Sequence, residues 1–181
     1  MKFFNKNLVM PGDWIPIIQK ILNQNSRVIV LGKTDSGKTG LIRLFTQYLI
    51  RRNKKVGVID GDIGQSTLGP PGTVGMCILD FENLKSETIS VKKMVFVGTT
   101  SPGRYTEKFI NSIDQLYKIC QKHKVDIILL DTTGLVTGSL GIYLKCSLIK
   151  KIKPSALVAL QLEKELESIL REFAKEIGEH T

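Results

Sequence analysis

Four apolar runs without polar alternation divide the chain and predict its strands. They cover residues 27–32, 55–60, 125–131 and 155–160. Apolar side chains at helical spacing lie around these runs, in residues 14–22, 41–50, 109–120 and 162–177. Strands that are apolar on both faces and alternate with helices are typical of a parallel sheet that is covered on both sides. The pattern therefore predicts an α/β fold of three layers, a mainly parallel sheet with helices on both faces.

The stretch from 72 to 98 departs from this alternation. It contains two short strand-like pieces, "VGMCILDF" and "KKMVFVG", on either side of "ENLKSETIS". We interpret this stretch as a β-hairpin-like insert that leads back into the sheet. No repeat, linker or low-complexity tract interrupts the sequence, so we expect residues 1–181 to form a single domain.

Charge and composition narrow the classes of protein to consider. The chain has 181 residues, of which 26 are basic and 17 acidic, for a net charge of +9. A basic domain attracts polyanions, which include both nucleic acids and nucleotides. No apolar run reaches the roughly 18 residues that a membrane span needs. The three cysteines are widely spaced in apolar patterns, as buried thiols in a reducing compartment are. We therefore expect a cytoplasmic protein with no membrane partner.

A phosphate-binding loop follows the first predicted strand. Its sequence, GKTDSGKT at residues 32–39, matches G-x-x-x-x-G-K-[ST] and lies between a buried strand and an amphipathic helix. The glycines let backbone N–H groups turn toward phosphate oxygens at the helix N-terminus. We expect Lys38 to bind the β and γ phosphates and Thr39 to complete a Mg²⁺ shell. The predicted nucleotide-binding residues are Gly32, Lys33, Thr34, Asp35, Ser36, Gly37, Lys38, Thr39 and Gly40. The fold class is thus that of a P-loop NTPase, with ATP or GTP and Mg²⁺ as cofactors.

Three aspartates stand where predicted strands end, which is where parallel α/β sheets bind their ligands. Asp60 and Asp62 follow the second strand, and Asp131 follows four apolar residues of a later strand. Asp131 is expected to hold Mg²⁺ directly or through water. Asp62 begins a loop rich in Gly and Pro, and its carboxylate either accepts the proton of an attacking hydroxyl or belongs to the metal site.

Several motifs, in order, carry a resemblance to a known family. They are "GKTDSGKT", "DGDIGQSTLGPPGTVG", "FVGTTSPGRY" and "DTTGLVTGSLG", the last followed by "LKCSLIKKIKP". Together they span about residues 12–165. In these motifs the chain resembles the polynucleotide 5′-hydroxyl kinases of mRNA cleavage, pre-rRNA processing and the archaea. The resemblance implies transfer of the γ-phosphate of ATP to the 5′-OH of RNA or DNA, with RNA favoured, and places the chain in RNA processing.

The resemblance also implies roles for matching residues. Asp62 would orient or deprotonate the 5′-hydroxyl, with Gln65 beside it. Ser101 and Pro102 fall on the clasp of the family, which packs against the acceptor end. Asp131 and the following residues fall on the strand-end motif that borders the metal and the acceptor. The implied nucleic-acid contacts are Gln65, Ser101, Pro102, Thr133 and Leu135.

Two departures from the family pattern stand out. Leu135 occupies a position where relatives often carry a Trp that stacks on the terminal base, and stacking contributes about 1–3 kcal/mol per base. The family also has a lid with arginines that neutralise the transferring phosphoryl, and "LREFAKEIGEHT" stands about where that lid would begin. Arg104 is the best candidate among the arginines of this chain for that role. A protein partner or second chain is the expected source of a lid.

The sequence is also compatible with two other functions. Lys33 directly follows the first glycine of the phosphate loop, as the extra lysine does in SIMIBI-type switch ATPases with a deviant Walker A loop. There it crosses a dimer interface, so this alternative predicts nucleotide-dependent dimerisation. The remaining alternative is an ATP-binding scaffold that transfers no phosphate. The oligomeric state is not indicated by the sequence.

Overall fold

A computed structural model of the chain describes Phe4 and residues 9–22, 26–86 and 89–178. The strands are β1 (Ser26–Gly32), β2 (Val56–Gly61), β3 (Thr73–Leu79), β4 (Val91–Phe96), β5 (Ile127–Thr132) and β6 (Ala156–Leu160). The helices are α1 (Ile15–Leu22), α2 (Lys38–Ile50), α3 (Phe81–Ser86), α4 (Thr106–Lys122), α5 (Gly138–Ile152) and α6 (Glu167–Gly178). Short 3₁₀ helices cover Gly12–Trp14 and Pro102–Arg104.

The six strands form one mixed sheet in the order β4-β3-β2-β5-β1-β6. Strands β2 and β1 each pair in parallel with β5, and β6 pairs in parallel with β1. The carboxyl ends of these four strands therefore lie along one side of the sheet. This side is called here the active edge, and it is distinct from the outer strands β4 and β6. The register pairs Asp60 with Asp131 across β2 and β5, so the two predicted carboxylates are neighbours. The predicted α/β fold is confirmed.

Apolar side chains fill the space on both sides of this sheet. Phe109, Ile113 and Leu116 of α4 are fully buried in a cluster with residues of α5 and α6. Phe45 and Leu49 of α2 belong to a second cluster on the opposite face. The central strands are buried on both faces, which explains why their sequences show no polar alternation.

Residues 72–98 build the antiparallel end of the sheet. Strand β3 runs antiparallel to both β2 and β4, and α3 lies between the two strands in the chain. Strand β4 forms an outer edge of the sheet, and all its residues except the partly buried Val95 are exposed. Strand β3 runs opposite to β2, and β4 runs opposite to β3. Strand β4 therefore runs in the same direction as β2 and ends at the active edge. None of the helices in the described ranges is long and apolar enough to cross a membrane.

Candidate active site

The phosphate loop joins β1 to α2 at the active edge. Within it, the Ser36 backbone N–H donates to the Lys33 carbonyl oxygen at 3.3 Å, which closes a turn. Asp35 and Gly37 have positive φ angles, of 59° and 93°. At Gly37, the N-cap of α2, this backbone conformation favours glycine because a Cβ is disfavoured there. The sequence thus folds into a loop that ends at a helix N-terminus, which favours an anion.

The side chain of Lys38 is held inside the loop. The residue is buried, and its Nζ donates to the Lys33 carbonyl oxygen at 2.6 Å. This bond keeps the ammonium group beside the loop, where it lines a cleft of about 360 Å³. The cleft is lined by Asp35, Gly37, Lys38, Thr39, Gly40, Asp62, Gln65 and Thr67. Five of the nine predicted nucleotide-binding residues therefore share one cavity with Asp62 and Gln65, whereas Gly32, Lys33, Thr34 and Ser36 do not line it.

Thr39 and Asp131 are joined across the site. The Thr39 hydroxyl donates to Asp131 Oδ2 at 2.6 Å. The pKa of the Asp131 carboxyl is raised to about 6. Burial is the largest cause, the Thr39 hydrogen bond acts in the opposite direction, and the charge of Asp60 adds to the increase. Within the described residues, Asp131 Oδ1 is buried without a hydrogen-bond partner. This carboxylate therefore carries an unsatisfied oxygen next to the phosphate loop.

The oxygens of Thr39 and Asp131 fit a Mg²⁺ ion. No group of three or more His, Cys, Asp or Glu side chains in the described residues has the geometry of a metal site. Mg²⁺ does not need one, because it usually binds one or two protein oxygens together with waters and substrate phosphates. The unsatisfied Oδ1 of Asp131 supplies such an oxygen.

Asp60 organises the loop that carries Asp62, a role that the sequence did not reveal. Its Oδ1 accepts the backbone N–H of Asp62 at 3.0 Å. Its Oδ2 accepts the Leu68 N–H at 2.9 Å and the hydroxyls of Ser66 and Thr67 at 3.1 Å each. The Thr67 N–H donates to the same oxygen. One buried carboxylate therefore fixes both ends of the segment from 62 to 68.

Asp62 is half-buried and faces the cleft. Its Oδ1 accepts the backbone N–H groups of Gly64 and Gln65, each at 3.2 Å. These bonds orient the carboxylate, because they tie one oxygen to its own turn. Gln65 is exposed at the same cleft. The structure thus brings Asp62 and Gln65 beside Lys38 and Thr39.

The predicted clasp lies against the Asp62 loop. The clasp loop, residues 98–105, follows β4. The Ser101 N–H donates to Thr99 Oγ1 at 3.1 Å, and that hydroxyl donates to the Ser101 carbonyl oxygen at 2.8 Å. A Cβ on Gly64 would lie 3.3 Å from the Thr100 carbonyl oxygen, so the two loops touch. Ser101 is exposed, whereas Pro102 is buried.

Three further predicted site residues, Thr133, Leu135 and Arg104, do not line the cleft. Thr133 is buried beyond β5, and Leu135 is partly buried against the core of α4, α5 and α6. Arg104 is exposed at the end of a 3₁₀ helix and does not line the cleft around Lys38.

Lys145 is a site residue that sequence reasoning missed. It is buried at 1% exposure, and its Nζ donates to the carbonyl oxygen of Thr133 at 2.6 Å and to its hydroxyl at 3.0 Å. The pKa of Lys145 is lowered to about 7. Burial is the largest cause and the charge of Lys38 adds to it, while the charges of Asp62 and Asp131 act in the opposite direction. A signal existed in the sequence, because Lys145 interrupts the apolar stripe Leu144, Leu148, Ile149 and Ile152.

Gly134 is a second missed residue. A Cβ at this position would lie 2.2 Å from Thr34 Oγ1 and 2.4 Å from the Thr34 nitrogen. The backbone after β5 therefore packs directly on the phosphate loop. Only a residue without a side chain allows this approach.

Lys33 has a partner within the same chain. Its Nζ lies 3.7 Å from Glu165 Oε1, in the segment between β6 and α6. The side chain of Glu165 is 5% exposed and accepts the Glu163 N–H at 2.8 Å. Lys33 is thus tied to its own subunit, whereas the switch-ATPase alternative requires it to reach a second one.

Solved structures with a similar fold belong to P-loop proteins. The structure of the wild-type Clp1p–Pcf11p complex matches with a TM-score of 0.69 at 19% identity, covering 91% of this chain and 44% of that one. The BceF tyrosine kinase domain matches with a TM-score of 0.54 at 19% identity, over 88% of this chain and 68% of that one. These matches support the fold.

Similar sequences come from archaeal kinases. The polyribonucleotide 5′-hydroxyl-kinase of Pyrococcus abyssi is 31% identical over 91% of this chain and 46% of its own length. That of Methanocaldococcus jannaschii is 38% identical over 83% of this chain and 41% of its own length. The chain thus spans less than half the length of the curated relatives it matches.

A family model matches most of the chain. It describes the P-loop domain of the mRNA cleavage and polyadenylation factor CLP1, and it covers residues 32–179. The matched region begins at the phosphate loop and includes the Asp62 loop, the clasp loop and the strand-end motif. The chain therefore belongs to the CLP1 P-loop family.

Proposed function

We propose that this chain is an ATP-dependent polynucleotide 5′-hydroxyl kinase that acts on RNA. The single observation that carries the proposal is the shared cleft, in which Asp62 faces the phosphate-binding residues Lys38 and Thr39. A carboxylate opposite a triphosphate site is suited to an acceptor hydroxyl. The names of the archaeal relatives support RNA as the acceptor.

The phosphate loop would bind the donor nucleotide. Backbone N–H groups at the start of α2 would surround the phosphates, and Lys38 would leave the Lys33 carbonyl oxygen to contact the γ-phosphate. When bound, Mg²⁺ would neutralise negative charge on the phosphates. Thr39 and Asp131 are the residues that would hold it, and Asp62 is the further candidate close by.

Asp62 would act on the acceptor. The 5′-hydroxyl oxygen would attack the γ-phosphorus in line, and its proton would pass to the Asp62 carboxylate. The bond from the γ-phosphorus to the bridging oxygen would break, and ADP would leave. Asp60 supports this geometry because it anchors the Asp62 N–H, while Gln65 and the exposed Ser101 would border the acceptor. Pro102, Thr133 and Leu135 would form the packed rim behind them.

The source of the transition-state arginine is a separate part of the proposal. Such an arginine is worth about 10³–10⁵ in rate in other phosphoryl-transfer enzymes. Arg104 is the candidate in this chain, since it follows Pro102 in the clasp loop. If a second chain supplies the arginine instead, specific activity will rise with protein concentration and Arg104→Ala will leave it unchanged.

The test is transfer of γ-labelled phosphate from ATP, and in parallel GTP, to 5′-OH RNA and DNA oligonucleotides with Mg²⁺. Lys38→Ala and Asp62→Asn are expected to abolish labelling. Asp80→Asn is the matched control, because Asp80 also accepts two N–H groups of its own turn but follows β3 at the opposite edge. Labelled phosphate released to water without labelled oligonucleotide would favour the switch ATPase. ATP binding without turnover would favour the scaffold.

A further inference from the structure

Edge strand β4 and the clasp loop carry a concentration of exposed apolar side chains. Val91, Met94, Phe96 and Tyr105 are all large, apolar and exposed, and Phe96 reaches 68%. Val91, Met94 and Phe96 pair with Cys77, Gly75 and Thr73, which are alternate residues of β3, so the three side chains point to the same face of the sheet, and a bulge accommodates Lys92. Exposed aromatic rings on a domain surface mark a binding site more often than isolated apolar residues do.

These side chains end at the proposed acceptor site. Phe96 pairs with Thr73 in the sheet, so it lies at the active edge. A Cβ on Gly72 would lie 3.6 Å from the Phe96 ring and 3.5 Å from the Thr99 carbonyl oxygen. The ring therefore borders the clasp loop, which in turn touches the Asp62 loop through Thr100.

A lysine stands between the two rings. Lys108 Nζ lies 5.9 Å from the ring centroid of Phe96 and 5.9 Å from that of Tyr105. It donates to the Val97 carbonyl oxygen at 2.8 Å, which fixes its position at the end of β4. From residue 91 to residue 108 the cations are Lys92, Lys93, Arg104 and Lys108, against the single acid Glu107. The Phe96 and Tyr105 rings therefore lie in a segment with a net positive charge.

We propose that Val91, Met94, Phe96, Tyr105 and Lys108 form a β4 platform that binds the nucleotides lying 3′ of the acceptor in single-stranded RNA. Exposed aromatic faces interleaved with cations match a ligand that has flat bases and an anionic backbone. The clasp loop begins where β4 ends, so a strand whose 5′ end faces Asp62 continues from the clasp loop onto the platform. This inference rests on the proposed function, since it assumes an acceptor strand at that site.

The platform makes binding depend on acceptor length. A dinucleotide occupies the Asp62 cleft alone, whereas an oligonucleotide of about 12 nucleotides, within the range that single-strand binding surfaces cover, also reaches Phe96 and Tyr105. Phe96→Ala and Tyr105→Ala are each expected to weaken binding of the longer RNA about tenfold, because each removes one stacking surface. For Phe96→Ala, which lies outside the clasp loop, labelling of the dinucleotide is expected to stay within about twofold of wild type.

The experiment measures fluorescence anisotropy of a 3′-labelled single-stranded 5′-OH RNA with the full chain, alongside phosphate transfer to the short and long acceptors. Phe81→Ala is the matched control. Phe81 is also an exposed aromatic ring beside a lysine, with Lys85 Nζ at 4.8 Å from its centroid, but it follows β3 at the opposite edge. Phe96 and Tyr105 are exposed, so thermal melting is expected to be unchanged.

The outcomes separate the platform from the kinase. Weaker binding of the longer RNA in the Phe96 and Tyr105 variants supports the platform, even if no oligonucleotide is ever labelled. Unchanged binding, or an equal loss in Phe81→Ala, overturns it, even if wild-type kinase activity is found. A wild-type dimer in sedimentation velocity that Phe96→Ala dissociates, with RNA affinity unchanged, would assign β4 to pairing between two copies and also overturn the platform.

Discussion

Lys145 holds Thr133 by two hydrogen bonds, from its Nζ to the carbonyl oxygen at 2.6 Å and to the hydroxyl at 3.0 Å. The lysine comes from the middle of α5, and Thr133 lies two residues beyond Asp131. A fully buried side chain thus connects a helix to the strand-end segment that packs on the phosphate loop. Lys145 is in this account a positioning residue, because it contacts Thr133 and not the cleft.

Lys145→Met is expected to lower both stability and activity. The variant keeps the volume but leaves two buried acceptors of Thr133 without a donor, which costs about 1–3 kcal/mol for each group left unpaired. The phosphate-transfer rate is expected to fall, with Lys150→Met, an exposed change in the same helix, as the control. Equal melting temperatures and rates for wild type and Lys145→Met would contradict this role.

The pH dependence of the unfolding free energy reports the titration of Lys145. The pKa of Lys145 is lowered to about 7 in the folded chain from 10.5, so between these values the unfolded state binds more protons. Stability therefore rises with pH in this window, by at most about 1.4 kcal/mol per unit. Denaturant titrations at pH 7 and pH 9 are expected to show this gain in wild type and its loss in Lys145→Met. An identical pH response of the two proteins would show that Lys145 does not titrate in this range.

Asp131→Asn is expected to stabilise the metal-free protein while abolishing activity. The pKa of Asp131 is raised to about 6 from 3.8, so the folded state binds more protons between these values and wild type loses stability as pH rises through them. Each unit corresponds to about 1.4 kcal/mol, part of which the buried amide will offset. At pH 8 with a chelator the variant is expected to melt higher than wild type. A lower melting temperature for Asp131→Asn than for wild type would show that the folded protein stabilises the negative charge of Asp131.

Asp60→Asn is expected to loosen the Asp62 loop. The amide keeps one acceptor for the Asp62 N–H but places an NH₂ group where the Thr67 and Leu68 N–H groups donate to Oδ2. Losing these charge-assisted bonds is expected to cost about 2–3 kcal/mol of unfolding free energy. The KM for RNA is expected to rise more than the KM for ATP. A rise confined to ATP would place the loop on the donor side instead.

Gly134→Ala is expected to disturb the phosphate loop. The added methyl group would lie 2.2 Å from Thr34 Oγ1, so the loop must move. Overpacking costs about 1–3 kcal/mol, which corresponds to about a tenfold loss of ATP affinity if the loop yields. Isothermal titration with ATP and Mg²⁺ measures it, and Gly12→Ala, where no atom lies within 4 Å of a Cβ, is the control. Unchanged affinity would show that the loop adapts freely.

Local patterns in the sequence predicted the parts of the fold that depend on local chemistry. The apolar runs identified the buried strands β1, β2 and β5, which need apolar side chains on both faces, and also the partly buried outer strand β6. The motif at residues 32–39 placed Lys38 and Thr39, and the strand ends placed Asp62 and Asp131. Each of these inferences needed only a short segment and its immediate neighbours.

The rest of the site depends on contacts between distant segments. In the sequence, Asp60 and Asp62 follow the same strand and nothing local distinguishes their roles. The separate role of Asp60 arises because residues 62–68 fold around the Asp60 carboxylate. Lys145 gains its partner from residue 133 through the packing of α5 on the sheet. Gly134 matters because Thr34, a hundred residues earlier, lies against it. Exposure of Phe96 follows from the position of β4 at the edge of the sheet.

Phosphate transfer to the 5′-hydroxyl is tested best with two RNAs that differ only at the 5′ end. One carries a 5′-hydroxyl and the other a 5′-phosphate, and both are incubated with γ-labelled ATP, Mg²⁺ and the full chain. Label is expected at the 5′ terminus of the first RNA alone, and at neither RNA when Asp62→Asn replaces wild type. Equal release of labelled phosphate to water with either RNA, and no labelled terminus, would contradict it.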